Sequence, residues 1–291
     1  MEFTPEQRTK WNAAIIGCMH KLKELCEEHH ITYYCIGGTA IGAVRHSGLI
    51  PWDDDIDVGL PRPDYERFVE ICRTTDLGDY ELATPERKYY PCTFAKLCDR
   101  RTTLVERKGV PCVYGVYIDV FPIDGTAPTK EEAEKMMRKY RRLTNKIDAV
   151  LTHYSPMRFL ALAAKPKEWG RMATQIAGML FGRERIRKYI VHKAEQIAKK
   201  YDYATAKNLI NYNGCYGSRE IFPREWAETQ CDHQFEDMIV KLPVNCDAYL
   251  RNVYGDYMQL PPVEKRVCQH DHAFFDLDRR WEVKDIPIFN S

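Results

Sequence analysis

The segment Tyr34-Cys-Ile-Gly-Gly-Thr-Ala-Ile-Gly-Ala-Val-Arg-His-Ser-Gly-Leu-Ile-Pro-Trp-Asp-Asp-Asp-Ile-Asp-Val-Gly-Leu-Pro61 decides how this chain is read. Ile31 to Ile36 is rich in β-branched and aromatic residues, the composition of a buried strand. Gly37-Gly38 then permits a sharp backbone turn, and Thr39 is placed to cap a helix over Ala40 to His46. The first N–H groups of such a helix have no intrahelical partner, so its N-terminus suits an anion. A second strand follows through Trp52-Asp-Asp-Asp-Ile-Asp-Val58. Alternation along it puts Asp53, Asp55 and Asp57 on one face, with Ile56 and Val58 toward the core.

Three carboxylates on one face repel one another unless a cation neutralises them. Oxygen-only ligands select a hard ion such as Mg2+ or Mn2+. A phosphate cradle beside such a site is the equipment of phosphoryl transfer. An acidic surface loop would not interleave its acids with Ile56 and Val58 behind a glycine turn. The Asp53-x-Asp55-x-Asp57 spacing also matches the opening of an EF-hand loop. That loop requires Gly at its sixth position and Glu at its twelfth, where this chain has Val58 and Asp64.

A further carboxylate comes from Tyr114-Gly-Val-Tyr-Ile-Asp-Val-Phe-Pro-Ile-Asp-Gly125. Val116, Ile118, Val120 and Phe121 read as a buried strand, and Asp119 points away from Ile118 and Val120. An acid there is costly unless it is paired or bound to metal. A neighbouring Arg or backbone group would also satisfy Asp119, but the need for a third metal carboxylate favours the metal. Lys96, between Ala95 and Leu97, is an odd place for an unpaired cation. It either snorkels to the surface or meets donor phosphates. Asp124-Gly125 reads as a turn.

Gly37-Gly-Thr-Ala-Ile-Gly-Ala-Val-Arg-His-x-Gly-x-Ile-Pro-Trp-Asp-Asp-Asp-Ile-Asp-Val58 resembles the signature of the LicD family, which includes the fukutin proteins. Ile118-Asp-Val-Phe-Pro122, Lys96-x-x-Asp99, Tyr216 to Trp226 and Leu242 to Pro262 resemble later family segments. The resemblance runs from about Tyr33 to His272 and thins out in the basic helical middle. It implies a nucleotidyltransferase-like α/β core (an α+β mixed sheet). It also implies transfer of phosphocholine or a related alditol phosphate from a CDP-linked donor to a hydroxyl of a glycan or its lipid-linked precursor.

On this reading Asp53, Asp55, Asp57 and Asp119 hold Mg2+ or Mn2+, with Asp55, Asp57 and Asp119 catalytic. Gly37, Gly38, Thr39, Arg45, Lys96 and Asp99 are the candidates for the donor and its phosphates. Two rival readings keep the same residues: a nucleotidylyltransferase that releases pyrophosphate, and a non-catalytic module that binds nucleotide or lipid.

The remaining sequence sets the frame. With 44% hydrophobic and 29% charged residues the chain is an ordinary globular sequence, and its net charge of +1 argues against a nucleic-acid partner. No signal-like leader and no apolar run near 20 residues is found, which predicts a cytoplasmic protein whose eleven cysteines are reduced thiols. Cys268-x-His270-x-His272 is not read as a zinc site, because such sites draw on two separated ligand pairs. Thr4-Pro-Glu-Gln7 opens an amphipathic helix with Trp11, Ala14, Ile15, Cys18, Met19, Leu22, Leu25 and Cys26 on its core side.

Three regions are expected: a catalytic core over 1–128, a helical insertion over 129–205 broken near Ser155-Pro156 and Lys165-Pro166, and a C-terminal segment over 206–291 that folds back. Between Tyr154 and Lys188 eight basic residues stand against two acids, interleaved with Met157, Phe159, Leu160, Met179 and Phe181. This pattern suits either a solvated helix face or a helix lying on the inner leaflet of a membrane.

Overall fold

A computed structural model describes residues 3–152, 157, 161, 165–268, 270 and 272–289. The break at Ser155-Pro156 and the basic and apolar residues Arg158, Phe159 and Leu160 lie outside the described residues.

Helix α1 (Pro5–Glu28) starts at a capping box: Thr4 accepts from the Gln7 backbone and Gln7 returns to the Thr4 backbone. Its eight expected core residues are all buried, against strands β4 (Ala95–Val105) and β5 (Tyr114–Thr126). The first strand is shorter than expected: β1 is Tyr34–Cys35 alone. The next helix begins earlier, so α2 covers Gly37–His46 with Gly37 and Gly38 in its first turn.

Strand β2 is Asp57–Pro61, which leaves Asp53 to Ile56 as a loop and not a strand. Helix α3 (Arg62–Thr74) follows directly, then β3 (Tyr80–Ala83). The sheet runs β1-β2-β5-β4-β10, where β10 is Phe274–Asp276, and β3 lies along the first half of β4. β2 pairs parallel with β5, while β4 pairs antiparallel with it, so the sheet is mixed.

β4 is one continuous strand with a register shift between Asp99 and Leu104. The shift has a visible cause. Thr102 Oγ1 bonds the Asp99 carbonyl (2.8 Å) and accepts the Val116 N–H (2.7 Å), replacing ladder bonds with side-chain ones. Asp124-Gly125 is not a turn. β5 continues through both and pairs with β6 (Asn208–Ile210), because Arg62 neutralises the buried Asp124 through bonds of 2.6 and 2.7 Å. β7 (Ile221–Pro223) extends that edge, and β8 (Gln230–Phe235) with β9 (Met238–Pro243) forms a separate hairpin against β1 and α2.

Helices α4 (Lys130–Leu151), α5 (Trp169–Phe181) and α6 (Arg183–Ala198) pack on one another beside this sheet. Arg187 fastens α6 to the core. It is fully buried, bonded to Glu184 and to the carbonyls of Pro85, Arg87 and Tyr90. Helix α7 (Cys246–Tyr254) and β10 carry the end of the chain back to the sheet, completing an α+β fold with seven α-helices among the described residues.

Gly115 sits opposite the register shift, where an added Cβ would lie 1.8 Å from the Asp99 carbonyl oxygen. Gly115→Ala should therefore destabilise the protein by about 3 kcal/mol, read as a lower urea midpoint at unchanged slope. An unchanged midpoint would mean that the shift in β4 is not fixed as described.

Candidate functional site

Cross-strand pairing brings together residues that are far apart in sequence. Asp57 of β2 is the direct partner of Asp119 in β5, and Asp119 is in turn the direct partner of Lys96 in β4. Neighbouring residues across a sheet share a face, so these three side chains form one row. Lys96 Nζ lies 2.7 Å from Asp119 and 3.3 Å from Glu106, and 3.5 Å from the centre of the Tyr117 ring. Its position between two acids and an aromatic face leaves Lys96 buried but fully engaged. It neutralises Asp119 and does not stand open to a donor phosphate as expected.

Glu106 was not found from the sequence, since it follows a strand without any motif. The buried Lys96 was the signal that a second acid had to be near. Burial works to raise the Glu106 pKa, but Lys96 and the hydroxyls of Tyr114 and Tyr117 outweigh it and hold the carboxyl at about 2.

The acidic loop is positioned from α1 and α2. Arg8 Nη1 donates to the Asp53 carbonyl (2.8 Å) and Trp11 Nε1 to the Asp54 carbonyl (2.7 Å). Thr39 does not cap α2; Ile36 is the N-cap and offers no side-chain bond. Thr39 Oγ1 instead accepts the Asp57 N–H at 2.7 Å, fixing β2 to the helix. Both glycines are required by close approach. A Cβ on Gly37 (φ +59°) would lie 2.8 Å from Asp57 Oδ2, and one on Gly38 would lie 2.6 Å from Asp53 Oδ2. The uncapped N-terminus of α2 thus looks onto Asp53 and Asp57.

These carboxylates are electrostatically one group. Burial and the charge of Asp55 push Asp53 up to about 8. Burial, then Asp55, Asp119 and Asp53, push Asp57 well above the usual carboxylate range. Asp55 is raised by burial and by Asp119 and Asp54, although His270 opposes this. Asp119 is raised by burial, which prevails over Lys96. The site holds more negative charge than its own side chains neutralise.

The C-terminal segment adds a second grouping. His270 Nδ1 lies 2.8 Å from Asp54 and its Nε2 lies 3.7 Å from Asp55. Among the described residues, Asp54, Asp55 and His270 are the three whose candidate ligand atoms all fall within 4.8 Å of one another. Asp57 and Asp119 stand side by side outside that grouping. His270 belongs to the run Cys268-x-His270-x-His272, set aside above because its spacing lacks paired ligands; the partner came from Asp54, not from another cysteine.

Two tyrosines border the site, and two expected residues lie away from it. Tyr254 Oη, from the end of α7, lies 3.6 Å from where a Gly37 Cβ would stand, and its ring meets Tyr216 edge-on at 4.6 Å. Asp99 is not in the site. It lies three residues from Lys96 along β4, on the opposite face, and is bonded to Arg101 at 2.7 and 2.9 Å. Arg45 is also displaced, about 12 Å from Gly37 along α2, bonded to the Tyr257 carbonyl and beside Arg266.

Residues 30–165 match the family described as LicD/FKTN/FKRP, nucleotidyltransferase domain. This stretch is a LicD-family domain. It contains Gly37, the acidic loop, Lys96, Glu106 and Asp119, while Tyr216, Tyr254 and His270 join from outside it. The chain is also 29% identical over 249 residues to the lipopolysaccharide cholinephosphotransferase LicD of Haemophilus influenzae, covering 84% of this chain and 89% of that protein. Shorter similarities link it to uncharacterized proteins of Rickettsia prowazekii (32% over 90 residues, 24% of this chain and 34% of that protein) and Rickettsia typhi (43% over 53 residues, 18% and 17%). No described helix is long and apolar enough to cross a membrane.

Glu106 gives a test of this electrostatic arrangement. Its folded pKa lies below its ordinary value of 4.5, so its stabilisation is complete above that pH and is lost as pH falls through about 2. Glu106→Gln should cost roughly 3 kcal/mol at neutral pH, because it strips Lys96 of one of two partners. The gap from wild type should close as pH falls across that window; a gap of constant size would contradict the assignment.

Proposed function

We propose that the protein transfers phosphocholine, or a related alditol phosphate, from a CDP-linked donor to a hydroxyl of a cell-surface glycan or its lipid-linked precursor. The observation that carries this reading is the Asp57–Asp119–Lys96 row set against the glycine-lined N-terminus of α2. The similarity to a cholinephosphotransferase over most of both chains supports the choice of group.

The donor set fits a hard divalent cation. Asp53, Asp55, Asp57 and Asp119 offer oxygen only, and they carry charge that repels a phosphate unless a cation intervenes. Mg2+ or Mn2+ bound by these four would supply charge neutralisation for the donor diphosphate and its leaving group. The chain's own residues do the rest. The backbone N–H groups of Gly38 and Thr39 orient the phosphate, and Thr39 keeps β2 at the helix end. Lys96 holds Asp119 in place.

The acceptor oxygen forms a bond to the phosphorus that bears the alcohol, the bond from that phosphorus to CMP breaks, and CMP departs with the bridging oxygen. Asp57 or Asp119 takes the hydroxyl proton. Tyr254 and Tyr216 border the cradle and are placed to contact the donor.

Incubation with CDP-choline, Mg2+ and lipopolysaccharide should release CMP, and EDTA should stop it. Asp57→Asn should reduce turnover by about 10³-fold without lowering the melting temperature, since it removes one of several mutually repelling acids. Release of pyrophosphate from CTP with no CMP from CDP-alcohols would replace this reading by nucleotidylyl transfer.

A further inference from the structure

Helix α5 is built inside out. Its inward side carries Thr174, Gln175 and Gly178, all buried. Gln175 Nε2 donates to the carbonyls of Ala149 (2.6 Å) and Thr152 (2.5 Å) at the end of α4, and Gly178 lies against Val150 and Arg183. Its outward side carries Ile176, Met179 and Leu180, spaced i, i+3, i+4 and 43%, 58% and 72% exposed, followed by Phe181 at 61%. A helix on a water-soluble core turns its apolar stripe inward and its polar side out. Here the order is reversed, and the large apolar side chains face the surroundings.

The charges around the stripe choose its occupant. Lys165 and Lys167 stand exposed just before the helix, and Arg183 and the exposed Arg185 stand just after it. Nearby acids are already taken: Glu168 pairs with Arg171 at 3.5 Å, and Glu184 pairs with the buried Arg187. None of the four flanking cations forms an ion pair among the described residues. An apolar stripe with positive charge at both ends is the pattern of a helix lying in a lipid interface, its basic side chains reaching up to anionic headgroups. A second copy of the chain fits poorly. Two-fold pairing of this face, parallel or antiparallel, sets a cationic end on a cationic end.

We propose that the outward face of α5 seats the protein on an anionic lipid surface. Ile176, Met179, Leu180 and Phe181 enter the boundary between headgroups and acyl chains, and the exposed Lys165, Lys167 and Arg185 contact lipid phosphates. This goes beyond the transfer reaction and does not depend on it.

The test is sedimentation of the full chain with vesicles of phosphatidylcholine alone and of phosphatidylcholine with phosphatidylglycerol. The protein should sediment with the anionic vesicles only, and less so as salt rises. The double variant Leu180→Asp/Phe181→Asp and the charge reversal Lys165→Glu/Arg185→Glu should each weaken binding at least about tenfold. Their circular-dichroism melts should match wild type, because all four positions lie at the surface. Asp57→Asn should bind vesicles as wild type does, so loss of the catalytic reading would leave this one standing. No sedimentation, or equal sedimentation with both vesicles, would overturn the proposal. So would a wild-type dimer in sedimentation equilibrium that Leu180→Asp/Phe181→Asp dissociates, since that would give the face to a second copy.

Discussion

Everything in the site depends on placing buried carboxylates closer together than their charges favour. Asp57 and Asp119 are neighbours across β2 and β5, and Asp53 and Asp57 both press on the glycine turn of α2. Ionising all of them in partial burial is costly, and their raised pKa values register that cost. The fold tolerates it because each acid is held by backbone or packing that has its own support. Thr39 bonds the Asp57 backbone, Arg8 and Trp11 hold the acidic loop, and Lys96 bridges Asp119 to Glu106. On the proposed reading, a bound cation would relieve this repulsion.

The distribution of these supports explains why the site draws on the whole chain. α1 comes from the N-terminus, yet it fixes the backbone on which Asp53 and Asp54 stand. β10 returns from the C-terminus to pair with the second half of β4 and brings His270 and His272 to Asp54. His272 stacks on Trp11 at 5.0 Å, so the two ends of the chain meet over the acidic loop. A LicD-family domain limited to residues 30–165 would lack these contacts.

The sequence was most informative where local chemistry has few solutions. A glycine pair before a helix, acids spaced two apart, and one acid in an apolar strand pointed to Gly37, Gly38, Asp57 and Asp119, and the structure brings these together. Helix α1 was legible from its capping box and its 3.6-residue period. Long-range contacts were not legible. Nothing local marks Glu106 as the partner of Lys96, or Asp54 as the partner of His270. Asp99 entered through the resemblance of Lys96-x-x-Asp99 to a family segment, but an odd offset along a strand puts it on the face opposite Lys96. Asp53 and Asp55 were assigned to a strand that starts only at Asp57. They still reach the acidic group, because side-chain anchors position the loop where strand pairing does not.

On the proposed reading a cation binds at the Asp57–Asp119 row and not at the neighbouring Asp54–Asp55–His270 grouping. The direct measurement is calorimetric titration of Mn2+ into the metal-free wild type, Asp57→Asn and His270→Ala. One site is expected in wild type, weakening at least tenfold, about 1.4 kcal/mol, in Asp57→Asn and persisting in His270→Ala. Binding that survives Asp57→Asn and disappears in His270→Ala would contradict it and move the cation to the outer edge of the acidic loop.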